Sequence, residues 1–237
     1  MKDIQLEEML KAGLHFGHRN SKRHPKMVPF IFDTRSNIDI LDLEKTRDHL
    51  EKARNFLKDL ASEGRSILFV GTKRQAKEIM RKAAKSCGMP YAVDRWIGGL
   101  FTNFRVVSQL TKRLGDLREQ KEKGELEKYT KKEQLGFDEE IKKLENMVGG
   151  LMSLTKLPDA IFLIGMKEDK AAVREAKKMK IPLIALLDTN NNPEDTLYPI
   201  PGNDDALKSV EYVASIISEA ISEGVALKPK KEEDVKK

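Results

Sequence analysis

Apolar positions along the chain follow two patterns, and the switches between them locate the elements. Continuous apolar runs stand at Ser66-Ile67-Leu68-Phe69-Val70, Ala160 to Ile164 and Leu183 to Leu187, with shorter ones at Tyr91-Ala92-Val93 and Tyr198 to Ile200. Runs apolar at every position belong to strands buried on both faces, the habit of parallel sheets. Between them the spacing turns helical, over about Gln75 to Cys87, residues 168–179 and residues 205–222. Strand and helix in alternation predict a mainly parallel sheet covered on both faces, a three-layer α/β/α class.

Towards the start the pattern is less regular. Ile4, Leu6, Met9 and Leu10 among Glu7, Glu8 and Lys11 predict a short helix that stops at Gly13. Phe30 to Phe32 and Ile38 to Leu41 predict two short strands about the turn Asp33 to Asn37, and residues 44–61 predict a helix ended by Gly64. His15 to Pro29 reads as a cationic loop carrying His15, His18, Arg19, Lys22, Arg23, His24 and Lys26, with Pro25 and Pro29.

From Phe104 to Leu151 the strand pattern disappears. Val107, Leu110, Leu114 and Leu117 are spaced three, four and three, as are Ile141, Leu144, Val148 and Leu151. Two heptad-like seams around a charged stretch, Lys121 to Gly136 with Gly124 and Gly136 as breakers, predict an inserted antiparallel coiled-coil hairpin. The expected division is therefore residues 1–103 with 152–225 as the α/β/α domain and 104–151 as the hairpin. Residues 226–237 lack apolar periodicity and are expected to form a disordered tail.

Composition narrows the class. The 237 residues carry 44 Lys plus Arg against 38 Asp plus Glu, a formal net charge of +6. With 39% hydrophobic residues a core can be buried, and 35% charged residues imply large solvated or partner-facing surfaces. A single cysteine, Cys87, excludes an internal disulfide framework and a cysteine-rich metal ribbon. The acidic Met-Lys-Asp-Ile-Gln-Leu-Glu-Glu start is unlike a signal peptide, and no run reaches the ~18 apolar residues of a membrane span. A cytoplasmic protein without membrane partners is expected.

A parallel sheet with flanking helices invites a search for nucleotide chemistry at the turn after the clearest strand. Val70-Gly71-Thr72-Lys73-Arg74-Gln75-Ala76 has one glycine and fits neither the dinucleotide fingerprint nor the phosphate loop. What remains is a basic helix start, Lys73, Arg74, Lys77, Arg81, Lys82 and Lys85, which reads either as a solvated face or as a phosphate-contacting one. Together with Arg19, Lys22, Arg23 and Lys26 of the loop, and Arg95, the residues Lys73, Arg74, Lys77 and Arg81 are the candidates for binding RNA phosphates. Arg95-Trp96-Ile97-Gly98-Gly99-Leu100-Phe101-Thr102-Asn103-Phe104 offers planes for base stacking, or an aromatic anchor at the base of the hairpin.

The catalytic alternative rests on Asp188 after one strand and on Asp204 and Asp205 before the last helix. In that reading Asp188 and Asp204 serve a metal-dependent hydrolase; the competing reading is a set of caps and turns. If the His15 to His18 loop crosses the same sheet edge, His18, Asp188, Asp204 and Asp205 would hold a structural Zn²⁺ or Mg²⁺ ion. No nucleophilic triad pattern is visible, and no cofactor is required.

The order of these segments resembles a known family. His15-Phe-Gly-His18, His24-Pro-Lys-Met-Val-Pro-Phe-Ile31, Leu68-Phe-Val-Gly-Thr-Lys73, Arg95-Trp-Ile-Gly-Gly-Leu-Phe-Thr-Asn103, Leu157-Pro-Asp-Ala160, Ile181 to Asn190 and Ile200-Pro-Gly-Asn-Asp-Asp-Ala206 follow one another as in the second protein of the bacterial small ribosomal subunit. The resemblance covers about residues 4 to 225; Phe101 stands where the family usually has Leu. It implies a flavodoxin-like α/β/α domain with a coiled-coil hairpin and no enzymatic activity. It also implies binding to ribosomal RNA near the junction of head and body, and a role in late subunit assembly. The implied partners are neighbouring small-subunit proteins, including the large one that captures messenger RNA.

Overall fold

A computed structural model describes residues 4–227 of the chain. Its centre is a five-stranded parallel sheet of β4 (Ile67–Val70), β5 (Tyr91–Ala92), β6 (Ala160–Ile164), β7 (Leu183–Leu187) and β8 (Tyr198–Pro201), in the order β5-β4-β6-β7-β8. Counted along the chain, that order is 2-1-3-4-5, the flavodoxin-like arrangement, with its switch point between β4 and β6. Ile67 pairs with Ala160, Ile161 with Leu183 and Ile184 with Tyr198.

Period-two alternation divides the strand residues between two cores. Ile67, Phe69, Phe162, Ile164, Ile184, Leu186 and Ile200 face one layer of helices: α1 (Leu6–Ala12), α2 (Leu43–Ser62), α3 (Lys77–Ser86) and α7 (Leu207–Leu227). Leu68, Val70, Ile161, Leu163, Ala185 and Leu187 face α6 (Lys170–Met179) and the inner ends of α4 (Phe104–Glu122) and α5 (Lys131–Val148). The three-layer expectation holds, and the reason is visible in the continuous apolar runs: each strand needs apolar side chains on both faces.

Several boundaries differ from the sequence reading. Helix α3 starts at Lys77, because residues 74–76 form a turn first. Helix α7 continues through Leu227, so Ala226 and Leu227 belong to it; the rest of the expected disordered tail lies outside the described residues. Gly136 sits inside α5 and does not break it, so the link between α4 and α5 is shorter than expected, residues 123–130. Thr130 caps α5 by a reciprocal pair of hydrogen bonds with Glu133. Phe16–Arg19, read as loop, is strand β1 of a small antiparallel sheet ordered β1-β3-β2 with β2 (Ile31–Arg35) and β3 (Ile38–Leu41). Its β2–β3 turn is two residues long, Ser36 and Asn37, both at positive φ (49° and 65°).

α4 and α5 pack side by side through Val107, Leu114, Leu117, Ile141, Leu144 and Val148, with Arg113–Glu140, Arg118–Glu145 and Lys121–Asp138 ion pairs across them. The same apolar cluster continues into Leu68, Val70 and Leu163 of the sheet, so the root of the pair is part of the domain core. Gly150 is needed where the returning chain passes β5, since a Cβ there would lie 2.2 Å from the Tyr91 carbonyl oxygen.

Candidate functional site

The carboxyl edge of the sheet is where doubly wound proteins bind ligands, and here it is filled by the chain's own side chains. After β4, Thr72 donates to Asp169 through its N–H (3.0 Å to Oδ2) and its hydroxyl (2.9 Å to Oδ1). Lys73 turns inward and places its ammonium 2.7 Å from Asp204 Oδ1 and 2.7 Å from Asp205 Oδ1. Lys73 is only 9% exposed. It is therefore no member of the exposed basic face expected from the sequence. Burial pushes the Asp204 carboxyl up to about 6, against the opposing pull of Lys73.

The segment from Gly13 to His24 straps this edge. Asn203 N–H donates to Leu14 O (3.0 Å), and His24 N–H to Thr189 O (2.8 Å). At Gly17 a Cβ would lie 2.5 Å from Thr189 Cγ2, so only glycine lets β1 approach the loop after β7. That approach delivers His18. Its N–H donates to Asp188 Oδ1 (3.1 Å) and Thr189 Oγ1 (3.0 Å). Its ring places Nδ1 2.8 Å from Asp188 Oδ2 and Nε2 3.5 Å from Asp205 Oδ2. The hydrogen bond to Asp188 raises the His18 pKa above its ordinary value, with burial working the other way. His18, Asp188 and Asp205 each offer a ligand atom within 4.8 Å of the others. Asp204, expected in that set, is held by Lys73 instead.

Asp188 and Asp204, the two acids of the hydrolase reading, are both buried and paired. Asp188 is 1% exposed and its oxygens accept from His18 and from the Thr189 N–H and hydroxyl; Asp204 is 4% exposed and paired with Lys73.

The Arg95 to Phe104 motif wraps a carboxylate. Glu175 of α6 accepts from the Trp96 indole (3.1 Å), from the N–H groups of Gly99 (2.8 Å), Phe101 (2.9 Å) and Thr102 (3.2 Å), and from the Thr102 hydroxyl (3.3 Å). Burial alone would raise the Glu175 pKa, but these donors hold it below the ordinary value. Trp96 and Phe101 meet edge to face at 4.9 Å between centroids, both buried. The motif anchors the start of α4; the aromatic planes that could have stacked on bases are inside.

The remaining cationic candidates divide by partner. Arg19, Lys22, Arg74 and Arg95 are exposed and have no carboxylate partner among the described residues. Arg23 is committed to the fully buried Asp39, with Nε 2.8 Å from Oδ2 and Nη2 on Oδ1, and to the Thr34 hydroxyl at 2.8 Å. Lys26 pairs with Glu194. Lys77 and Arg81 share Asp94, at 2.5 and 2.9 Å. Arg74 and Arg95 follow the carboxyl ends of β4 and β5, and Arg19 and Lys22 follow His18 in the strap.

The sequence pattern of the family described as Ribosomal protein S2 matches residues 9–224. The chain belongs to the ribosomal protein S2 family. Among curated relatives, the small ribosomal subunit protein uS2 of Geotalea uraniireducens is 45% identical over 224 residues, covering 94% of this chain and 88% of the relative. The uS2 proteins of Coprothermobacter proteolyticus (44%, covering 94% of this chain and 84% of the relative) and Salinibacter ruber (43%, 99% and 73%) are similar to the same extent. A chain of this family is a structural ribosomal protein and not an enzyme, so Asp188 and Asp204 do not serve a hydrolase.

Sequence reasoning missed Asp39, Asp169, Thr189 and Glu175, which organise this S2-family edge. The partners of Asp169, Glu175 and Thr189 lie far away in the chain, and the nearer partners of Asp39, Arg23 and Thr34, meet it only when the small sheet forms. A signal did exist for Gly17: a glycine between two histidines in a cationic stretch marks a close backbone approach.

Proposed function

We propose that the chain binds small-subunit ribosomal RNA through the carboxyl edge of its sheet, with Arg19, Lys22, Arg74 and Arg95 contacting phosphates and Lys26, Lys77 and Arg81 adding charge from within ion pairs. The observation that carries this reading is that Lys73 and Asp204 pair at the carboxyl end of the sheet, while four exposed cations in the segments following β4, β5 and His18 have no carboxylate partner among the described residues. A surface that cannot take a small substrate but presents unpaired arginines suits a phosphate backbone. The α4–α5 pair extends the interface as a coiled-coil arm towards the junction of head and body. The protein joins the subunit late and helps dock the large protein that captures messenger RNA, on cytoplasmic ribosomes. No described helix is long and apolar enough to cross a membrane. Filter binding to transcribed small-subunit RNA, comparing the parent with Arg19→Ala/Lys22→Ala and Arg74→Ala/Arg95→Ala, tests the interface: each pair is expected to weaken binding several-fold.

A structural divalent ion at His18, Asp188 and Asp205 is a second proposal, favoured by the closeness of one imidazole and two carboxylates. One nitrogen and two oxygens suit Zn²⁺ with a water, and a site richer in waters suits Mg²⁺. The role would be to pin the strap to the edge. Metal analysis of the dialysed protein and of the assembled subunit decides it: one ion lost on His18→Ala supports the site, and no stoichiometric metal in the parent removes it.

A further inference from the structure

Beyond the His18 cluster, the carboxyl edge opens into a cleft of about 300 Å³ between the loop after β6 and the loop after β7. Met166, Lys167, Lys170, Arg174, Asn190 and Asn191 line it, and Val173 adds to the apolar wall. That volume is at the lower end of small-ligand clefts and excludes a double helix.

Three of the four cations that line it are unspent. Lys167, Lys170 and Arg174 are exposed and have no carboxylate partner among the described residues, whereas Lys177 and Asp195, which also line the cleft, are paired with each other. Helix α6 begins here without a side-chain cap, because Asp169 at its N-cap gives its carboxylate to Thr72. Its first turn holds no acidic residue and carries Lys170, a cation at the positive end of the helix dipole. This arrangement is unfavourable until an anion joins it.

Two amides supply the second observation. Asn191 is 4% exposed and its Nδ2 has no hydrogen-bond partner, and the neighbouring Asn190 Oδ1 is also buried without one. A donor and an acceptor on adjacent side chains match the edge of a nucleobase, and the pair asks for more than a simple anion offers.

We infer that this cleft takes one unstacked nucleotide of the ribosomal RNA. Its phosphate lies against Lys167, Lys170, Arg174 and the α6 N-terminus, its base lies along Met166 and Val173, and its polar edge meets Asn190 and Asn191. The inference rests on the RNA-binding reading above and adds to it a site on the far side of the strap. An acidic protein segment would satisfy the cations and leave the amides unanswered, so RNA is the favoured occupant.

The test uses the full chain and transcribed small-subunit RNA. The parent is compared with Lys167→Ala/Lys170→Ala/Arg174→Ala, with Asn191→Leu, and with Arg19→Ala/Lys22→Ala as a reference outside the cleft. Circular dichroism melts report the fold of each. The triple variant should bind at least tenfold more weakly, with the slope of log K against log salt reduced by roughly 0.7–0.9, for the one phosphate no longer neutralised. Asn191→Leu should weaken binding several-fold with the slope unchanged. Ultraviolet crosslinking of the parent complex should join a nucleotide to the peptide carrying Asn190 and Asn191, and if Asn191→Leu melts early, the crosslink and the triple variant decide. Cleft variants that bind like the parent while the reference pair weakens would overturn the inference and leave the RNA-binding reading standing. A parent that fails to bind the RNA would end both. Two further results overturn it: equal occupancy by inorganic phosphate alone, or loss of a subunit protein in place of RNA.

Discussion

Lys73 Nζ lies 2.7 Å from Asp204 Oδ1 across the switch point of the sheet, with both side chains almost fully buried. This pair occupies the crevice where a doubly wound protein would hold a ligand. Removing the cation leaves a carboxylate in a site that already disfavours charge, so Lys73→Met should cost about 3–5 kcal/mol. Denaturant unfolding checks this, and a loss under about 1 kcal/mol would mean that the pair is not the plug described.

Glu175 is the hub for the chain entering α4, accepting from Trp96, Gly99, Phe101 and Thr102. Glu175→Ala should destabilise the protein by about 2–3 kcal/mol, since hydrogen bonds to a charged acceptor are lost and N–H groups are stranded. For a domain of this size that is a fall in Tm of roughly 4–12 °C. Subunit incorporation of the folded variant should persist if Glu175 only positions the motif.

Acid should act through the same carboxylate and through Asp39. The hydrogen bond from Arg23 holds the Asp39 carboxyl below its ordinary value, and the donors around Glu175 hold that group down. A depressed folded pKa gives stability that is complete above the unfolded value, near pH ~4, and lost as pH falls through the folded value. Stability measured from about pH 6 down to about pH 2 should therefore drop below about pH 4, and Asp39→Asn should flatten part of that drop. An Asp39→Asn profile that overlays the parent's would remove Asp39 from the account.

The helical pair should tolerate trimming at its tip but not at its root. Leu126, Tyr129 and Phe137 pack near the tip, whereas Val107, Leu114, Val148 and Leu151 share a core with the sheet. Replacing residues 119–136 with a short glycine linker should shift Tm by only a few degrees and weaken incorporation into subunits. Global unfolding on that trimming would show that the tip is part of the core.

The sheet was legible because β4, β6 and β7 must be apolar at every position, and that demand is written in consecutive residues. Strand β1 was not, since Phe16-Gly17-His18-Arg19 has no alternation of its own and becomes a strand only through β3 and the Thr189 loop. The edge chemistry was half legible. His18, Asp188 and Asp205 do converge, as their positions at turns suggested, but Asp204 is taken by Lys73. Spacing alone could not tell Lys73, turned inward, from Arg74, exposed beside it. The same limit applies to Arg23, whose charge looked free until Asp39 was brought beside it from β3.

The central claim is that the carboxyl edge is an electrostatic surface for ribosomal RNA. The most direct measurement is the equilibrium constant of the purified chain for transcribed small-subunit RNA, followed from low to physiological salt. With Arg19, Lys22, Arg74 and Arg95 contacting phosphates, log K should fall linearly with log salt, with a slope of about −3 or steeper at roughly 0.7–0.9 per neutralised phosphate. An affinity that stays flat across that range would contradict the account.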